Sequence, residues 1–449
     1  MKKKLLIYIT LVLFNASCKK YLDAKPDSRL DVPSTIVDFQ SLLDNSSIMN
    51  RNTCWSGEGS ADNYFLPENF FESLEPYQRY VYTWSENSVP DDLPNDWSLI
   101  YLPVNYSNLV LEGLNKIDRT ESNPSDWDNA KGSALFFRAK YFSDALTLWS
   151  KSYDVLTAAT DPGVPLRLTA DFNIPTERAS VQQCFDQVLS DLRGSIPLLP
   201  IVPLHVQRPS QTAAFALLSR VFLDMRQYDS AQWYADKALQ NKDELMDLNN
   251  LDLTANLPFP AFNEEVIMHF SMQSNVYWLS YYADSILYNS YDDADLRKQA
   301  YFRPNGDGTY NTFSCSYAGD YLNFTGLATD EVLLTRAECR ARLGNVSGAM
   351  DDLNHLMQRR WKKEDFTPFD AGSAEAALLM ILEERRKELI LRGSRWSDLK
   401  RLNKDPLTAT TLKRSIEGQQ ISLAPNSNPY QLPIPNNIIQ TANLNQNPR

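Results

Sequence analysis

The chain has 449 residues, with 44 Lys+Arg against 56 Asp+Glu, a formal net charge of −12 and 11% aromatic residues. At roughly 150 residues per domain, that length fits about three domains or one large body with a substantial core. The acidic balance excludes general binding to a phosphate backbone, which needs a cationic field to release counterions.

Lys2, Lys3 and Lys4 precede an apolar run from Leu5 to Phe14, and Asn15-Ala16-Ser17 lead into Cys18. A basic start, a short apolar stretch and small residues before a cut describe a secretory leader; the run is too short to span about 30 Å of hydrocarbon. A Cys directly after Ala-Ser is the acyl acceptor of a bacterial lipoprotein, although Asn15 stands where Leu is usual. Residues 1–17 are therefore the expected signal peptide and Cys18 the expected lipidation site, since more than one acyl chain anchors a protein stably without a spanning helix. Removing Lys2, Lys3 and Lys4 with the leader takes the net charge to −15. That charge favours neutral or cationic ligands over sulfated or uronate-rich ones. Cys54, Cys184, Cys315 and Cys339 are scattered, with no CxxC pair, which argues against a metal site and leaves room for one disulfide at most.

Residues 19–60 read as a polar, proline-punctuated tether leading to a short helix near Thr35–Leu43. Trp97, Tyr101, Val104, Asn108 and Leu111 then mark one helix face, with a kink or restart expected at Pro103. A second helix covers 127–149. Residues 211–240 show the small-and-large spacing of a tetratricopeptide helix pair, with a break at Arg226-Gln227 followed by Ala231, Ala235 and Ala238. A second such pair spans 330–360, broken at Gly344-Asn345. Residues 250–325 read as loops with a few strands, and a last long helix covers 374–392, capped by Ser373 and closed by Gly393. The fold class is mainly α.

Four segments in order resemble the SusD/RagB family of outer-membrane nutrient-binding lipoproteins. They are Cys18-Lys-Lys-Tyr-Leu22-Asp23, the Asp295-Leu-Arg297 segment, the helix pair from Thr329, and the C-terminal run. That run comprises Glu383 to Leu389, Arg392-Gly-Ser-Arg-Trp396-Ser-Asp398 and Leu432-Pro-Ile-Pro435 through Pro448. The resemblance implies a single SusD-like domain over 18–449, with halves meeting near 245, built on tetratricopeptide-like pairs under a loop-rich ligand face. It also implies an outer-membrane location, a SusC-like TonB-dependent transporter as partner, and no catalysis. The charged C-terminal residues Glu383, Glu384, Arg385, Arg386, Glu388, Arg395, Asp398 and Arg401 read as intramolecular ion pairs rather than a site.

No GxSxG elbow, P-loop or GxGxxG occurs, and His205, His269 and His355 have no second ligand at metal spacing, so neither cofactor nor metal is expected. Binding is better supported. The 43 residues from Trp55 to Trp97 contain ten aromatics, and a second group, Tyr277-Trp278-Leu-Ser-Tyr281-Tyr282, lies between the helix pairs. Aromatic faces stack on the C–H faces of pyranose rings while Asp and Asn satisfy hydroxyls. The expected contacts are Asp62, Asn63, Tyr64, Trp84, Asn95, Tyr277, Trp278 and Tyr281, while Phe65, Phe70, Phe71 and Trp97 are expected to cover the scaffold. The expected function is capture of an oligosaccharide for delivery to the transporter. A peptide ligand, as in the RagB branch, and a helical protein-interaction scaffold are the alternatives.

Overall fold

The computed structural model describes residues 33–51, 53–85, 94–175, 177–272, 277–306, 308–314 and 317–449. The expected lipidation site, Cys18, lies outside them, as does Cys315; Cys54, Cys184 and Cys339 are buried free thiols.

The scaffold is a series of helices whose ends are set by local chemistry. A short N-terminal helix, Ile36–Leu43, starts at Thr35, whose side chain and that of Asp38 cap each other's backbone amides. Helix α1 (Asp96–Leu114) begins at Asn95, whose side-chain oxygen accepts from Ser98 N at 3.0 Å. It runs through Pro103 without the restart that proline predicts. Ile100 and Val104, on either side, are fully buried, and that packing outweighs the one backbone hydrogen bond the ring removes. Helix α2 (Pro124–Trp149) has 26 residues, about 39 Å of helix. Its Ala130, Ala134, Ala139 and Ala145 are fully buried, which lets neighbouring helices approach closely. Helix α3 (Val181–Ser195) starts in a capping box between Ser180 and Gln183.

Helices α4 (Gln211–Asp224) and α5 (Tyr228–Asn241) form the first predicted pair, with Ala231, Ala235 and Ala238 at zero exposure and Arg226 turning the chain at φ 59°. Helices α6 (Thr329–Arg342) and α7 (Val346–Met357) form the second, turned by Gly344 at φ 83°. Helix α8 (Ala374–Glu388) is capped by Ser373, stops short of the predicted end, and is followed by α9 (Arg395–Leu402). Strands occur only as two-stranded antiparallel pieces among the described residues. Val266–Met268 pairs with Leu327–Ala328, and Leu412–Ile416 pairs with Gln419–Leu423. Among the described residues no helix is long and apolar enough to cross a membrane.

The apolar interior has two parts. One fills the seams between helices; the other lies under the loops and gathers Trp55, Tyr64, Tyr82, Trp278, Tyr291 and Phe324. Arginine–carboxylate pairs run along the C-terminal helices, as the charge pattern predicts. Arg401 meets Glu338 at 2.5 Å and Asp398 at 2.8 Å, and Arg385 meets Asp398 at 2.9 Å. Arg297 joins Asp295 at 2.7 Å and Glu388 at 3.0 Å, and also pairs with Glu384. Removing one partner of such a buried pair costs about 3–5 kcal/mol, because it strands the other charge.

Candidate functional site

The one-turn helix Ser56–Ser60 packs against the end of α2, where Gly57 leaves room for Leu148 and Trp396. The chain then runs through Ala61–Leu66 beside the Leu412–Ile416 strand. Between them an open pocket of about 200 Å³ is lined by Asp62, Tyr64, Phe65, Trp84, Asp284 and Arg414, among others. Alternation along the strand sets its chemistry: Leu412, Arg414 and Ile416 point inward, while Lys413 and Ser415 are exposed. Arg414 is 6% exposed and donates to Ala61 O at 2.7 Å. Its guanidinium lies 3.6 Å from the Tyr82 ring centre, 4.9 Å from Trp84 and 5.3 Å from Tyr64. This is a cation held by aromatic faces. Trp84 adopts φ 54°, a conformation rare for a bulky residue, and its indole donates to Ser60 O at 2.9 Å.

Asp62 forms the pocket's other wall. Its carboxylate takes a two-pronged contact from Arg395, at 2.6 and 2.9 Å, and lies 3.3 Å from Arg386. Burial alone raises its pKa, but the Arg395 and Arg386 guanidiniums outweigh that and hold it well below the usual carboxylate range. Asp284 caps the next short helix through Leu287 N at 2.8 Å and faces Arg386 at 3.7 Å. Behind the wall, Glu58 is 1% exposed and accepts from Asn63 Nδ2 at 2.8 Å and Gly393 N at 3.1 Å. Burial pushes its carboxyl up to about 7 against those donors.

Beside the pocket lies a shelf of rings. Three segments are stitched side by side: Phe65 N donates to Tyr282 O at 3.0 Å, Ala283 N to Asn311 O at 2.9 Å, and Thr312 Oγ1 to Tyr281 O at 3.1 Å. Their rings meet edge to face: Phe65–Tyr310 at 5.2 Å, Phe70–Tyr282 at 5.2 Å and Phe70–Tyr281 at 5.8 Å. Tyr281 is 41% exposed and Tyr310 36%. Phe65 belongs to both features, so shelf and pocket form one surface.

One group of carboxylates has metal-like proximity: Glu265, Asp330 and Glu388, with ligand atoms within 4.8 Å of one another. Arginines already occupy it. Arg360 reaches Glu265 at 2.8 Å and Glu388 at 2.7 Å, and Arg392 pairs with Asp330.

A family profile described as starch-binding associating with outer membrane matches residues 20–223, and one described as the SusD family matches residues 223–449. The chain belongs to the SusD family. Among solved structures it is similar to a SusD superfamily protein from Bacteroides thetaiotaomicron VPI-5482, at 21% identity and a TM-score of 0.74, covering 92% of this chain and 100% of that one. It is also similar to a SusD-like carbohydrate binding protein from Bacteroides vulgatus ATCC 8482, at 20% identity and a TM-score of 0.67, covering 91% of this chain and 97% of that one. At such identities the likeness shows a shared fold. No curated protein matches the chain.

Within this SusD family fold, Asp62, Tyr64 and Trp84 come together at one pocket, as the sequence suggests, and Tyr281 stands on the adjoining shelf. The others are placed differently. Asn63 at 1% exposure holds Glu58, and Asn95 at 6% is the cap of α1. Trp278, 7% exposed, packs edge-on against Trp55 at 5.4 Å and Tyr64 at 6.0 Å. Tyr64 and Trp84, at 2% and 7%, line the pocket as almost fully buried rings that hold Arg414. Tyr277 opens the single-turn helix Tyr277–Ser280, and its side chain lies outside the described ones. Trp97 covers the scaffold as expected, stacked on Tyr101 at 4.6 Å. Phe65 and Phe70, also expected to cover it, are instead part of the shelf, because Tyr281, Tyr282 and Tyr310 from distant segments supply their ring partners. Arg414, Arg386 and Arg395 were not among the expected site residues. The inward position of Arg414 in the alternating Leu412–Ile416 strand was its one sequence signal.

Proposed function

We propose that this protein is a lipid-anchored outer-membrane lipoprotein that captures oligosaccharides at the cell surface and passes them to a SusC-like TonB-dependent transporter. The observation that carries this reading is the continuity of the shelf and the pocket through Phe65. Exposed rings at Tyr281 and Tyr310 offer stacking faces for sugars, and Asp62 and Asp284 in the adjoining pocket offer acceptors for hydroxyls. The family match, with its outer-membrane description, and Cys18 support the location and the anchor. The role we assign is binding rather than catalysis, in keeping with the family match.

Isothermal titration against an oligosaccharide panel, with peptides as the comparison, tests the reading. Tyr281→Ala and Tyr310→Ala should each weaken saccharide binding by roughly tenfold, the loss of about 1.4 kcal/mol of stacking. Unchanged affinity in both variants removes the shelf from the site. A panel in which only peptides bind replaces the ligand class. Mass spectrometry of Cys18 and co-purification of a barrel check the anchor and the partner separately.

A further inference from the structure

Six buried arginines among the described residues, Arg138, Arg297, Arg360, Arg385, Arg392 and Arg401, each have a carboxylate partner. Arg414, equally buried, has none among the described residues. Its acceptors are the carbonyls of Ala61 at 2.7 Å and Gly59 at 3.4 Å, both reached from Nη2, and its Nε has no hydrogen-bond partner. The rings of Tyr82, Trp84 and Tyr64 hold the cation but supply no counter-charge. A guanidinium removed from water without an anion is costly, and the cost is relieved when an anion arrives. This one lines an open pocket.

The local charge has the same sense. Asp62 and Asp284 are the carboxylates of the pocket wall, and both are engaged by Arg386, with Arg395 also on Asp62. Lining the pocket with them are two cations, Arg414 and the exposed Lys413, neither of which pairs with a carboxylate among the described residues. The two carboxylates are thus neutralised from behind while the two cations are not, which favours an anionic group here, opposite to what the negative overall charge predicts for the ligand. A planar carboxylate suits a guanidinium, and the neighbouring lysine adds attraction at the rim.

Resting on the oligosaccharide reading above, we propose that the ligand is an acidic saccharide, a uronate-containing oligomer whose carboxylate meets Arg414 and Lys413 while a neighbouring sugar ring lies on the Tyr281–Tyr310 shelf.

The test is isothermal titration of the full chain with oligomers of galacturonate, glucuronate, mannuronate and guluronate. Each is compared with its carboxyl-reduced counterpart, and triglutamate serves as the peptide carboxylate. At least one uronide should bind roughly tenfold to hundredfold more tightly than its reduced form, and the preference should shrink with added salt. Lys413→Gln, on an exposed side chain, should lower uronide affinity several-fold and narrow the gap between each uronide and its reduced form. Arg414→Lys should reduce it further; folding of that variant is checked by circular dichroism, and the reduced-ligand comparison does not depend on it. Neutral oligomers binding as tightly as every uronide overturn the acidic assignment and leave the oligosaccharide reading standing. Triglutamate binding with no saccharide bound overturns both. A neutral glycan bound with no uronide bound overturns the acidic assignment alone, and silence across the whole panel removes both.

Discussion

Trp84→Ala separates a ring that supports the pocket from a ring that touches ligand. Trp84 is 7% exposed, so truncation to alanine removes a buried indole at about 3–5 kcal/mol, cavity included. The hydrogen bond to Ser60 O at 2.9 Å is lost as well, adding roughly 1 kcal/mol for a stranded carbonyl. Arg414 loses one of its three ring neighbours. Alanine is no more comfortable than tryptophan at φ 54°, so no strain is relieved. The expected destabilisation is therefore about 4–6 kcal/mol. With a urea dependence near 3 kcal/mol/M, the unfolding midpoint should fall by about 1.3–2 M. Tyr281→Ala, at a half-exposed ring, should move the midpoint by less than about 0.3 M while weakening saccharide binding. The assay is paired: urea unfolding followed by circular dichroism, and titration with the tightest saccharide. A Trp84→Ala protein of near-parental stability that binds weakly would place the indole on the ligand and refute the supporting role argued from burial.

Two further outcomes follow from the carboxylates behind the pocket. Asp62→Asn leaves Arg395 and Arg386 without their shared counter-charge, and should cost roughly 2–3 kcal/mol at pH 7, discounted because the Asp62 side chain is 24% exposed. The Asp62 carboxyl is held below its ordinary value, so its stabilisation is full above about pH 4 and fades as pH falls further; parent and variant should converge in acid, and a constant gap down to pH 2 would refute the pairing. Glu58 has the opposite sign: its carboxyl is raised from 4.5 to about 7, so the protonated form stabilises the fold fully below pH 4.5, and that contribution, on the order of 3 kcal/mol, is lost as pH rises through 7. Glu58→Gln should flatten the urea midpoint between pH 5 and 8; a profile parallel to the parent's would sink the assignment.

What the sequence made legible was periodic or local. The α4–α5 pair could be read because Ala231, Ala235 and Ala238 recur where two helices must approach, and Gly344 and Ser373 announce helix ends by conformational freedom and capping chemistry. The acidic and basic residues of α8 and α9 pair within the chain because they share helix faces with buried partners. Asn95 shows how a local signal can be assigned to the wrong cause: an Asn just before an apolar stripe is a helix cap. Ring density from Trp55 to Trp97 pointed to residues that line the candidate pocket and overstated their exposure, since rings that close together bury one another's faces. Arg414 had to be found in three dimensions. Its meaning lies in a missing carboxylate, and whether a charge has a partner far along the chain is not written in its neighbourhood.

The two walls of the pocket are joined by the hydrogen bond from Arg414 to Ala61, across 353 residues of chain. A ribosome working at 5–20 residues per second needs roughly 20–70 s to make the second wall after the first. Throughout that interval, and during any export that leads with the N-terminus, residues 61–66 have no strand to lie against. The binding surface is then among the last features the fold completes. A chain cut short just before the Leu412–Ile416 strand still carries the sequence of α1–α9 but lacks the wall that holds Arg414 and Lys413, so a complete pocket itself reports that synthesis has run nearly to its end.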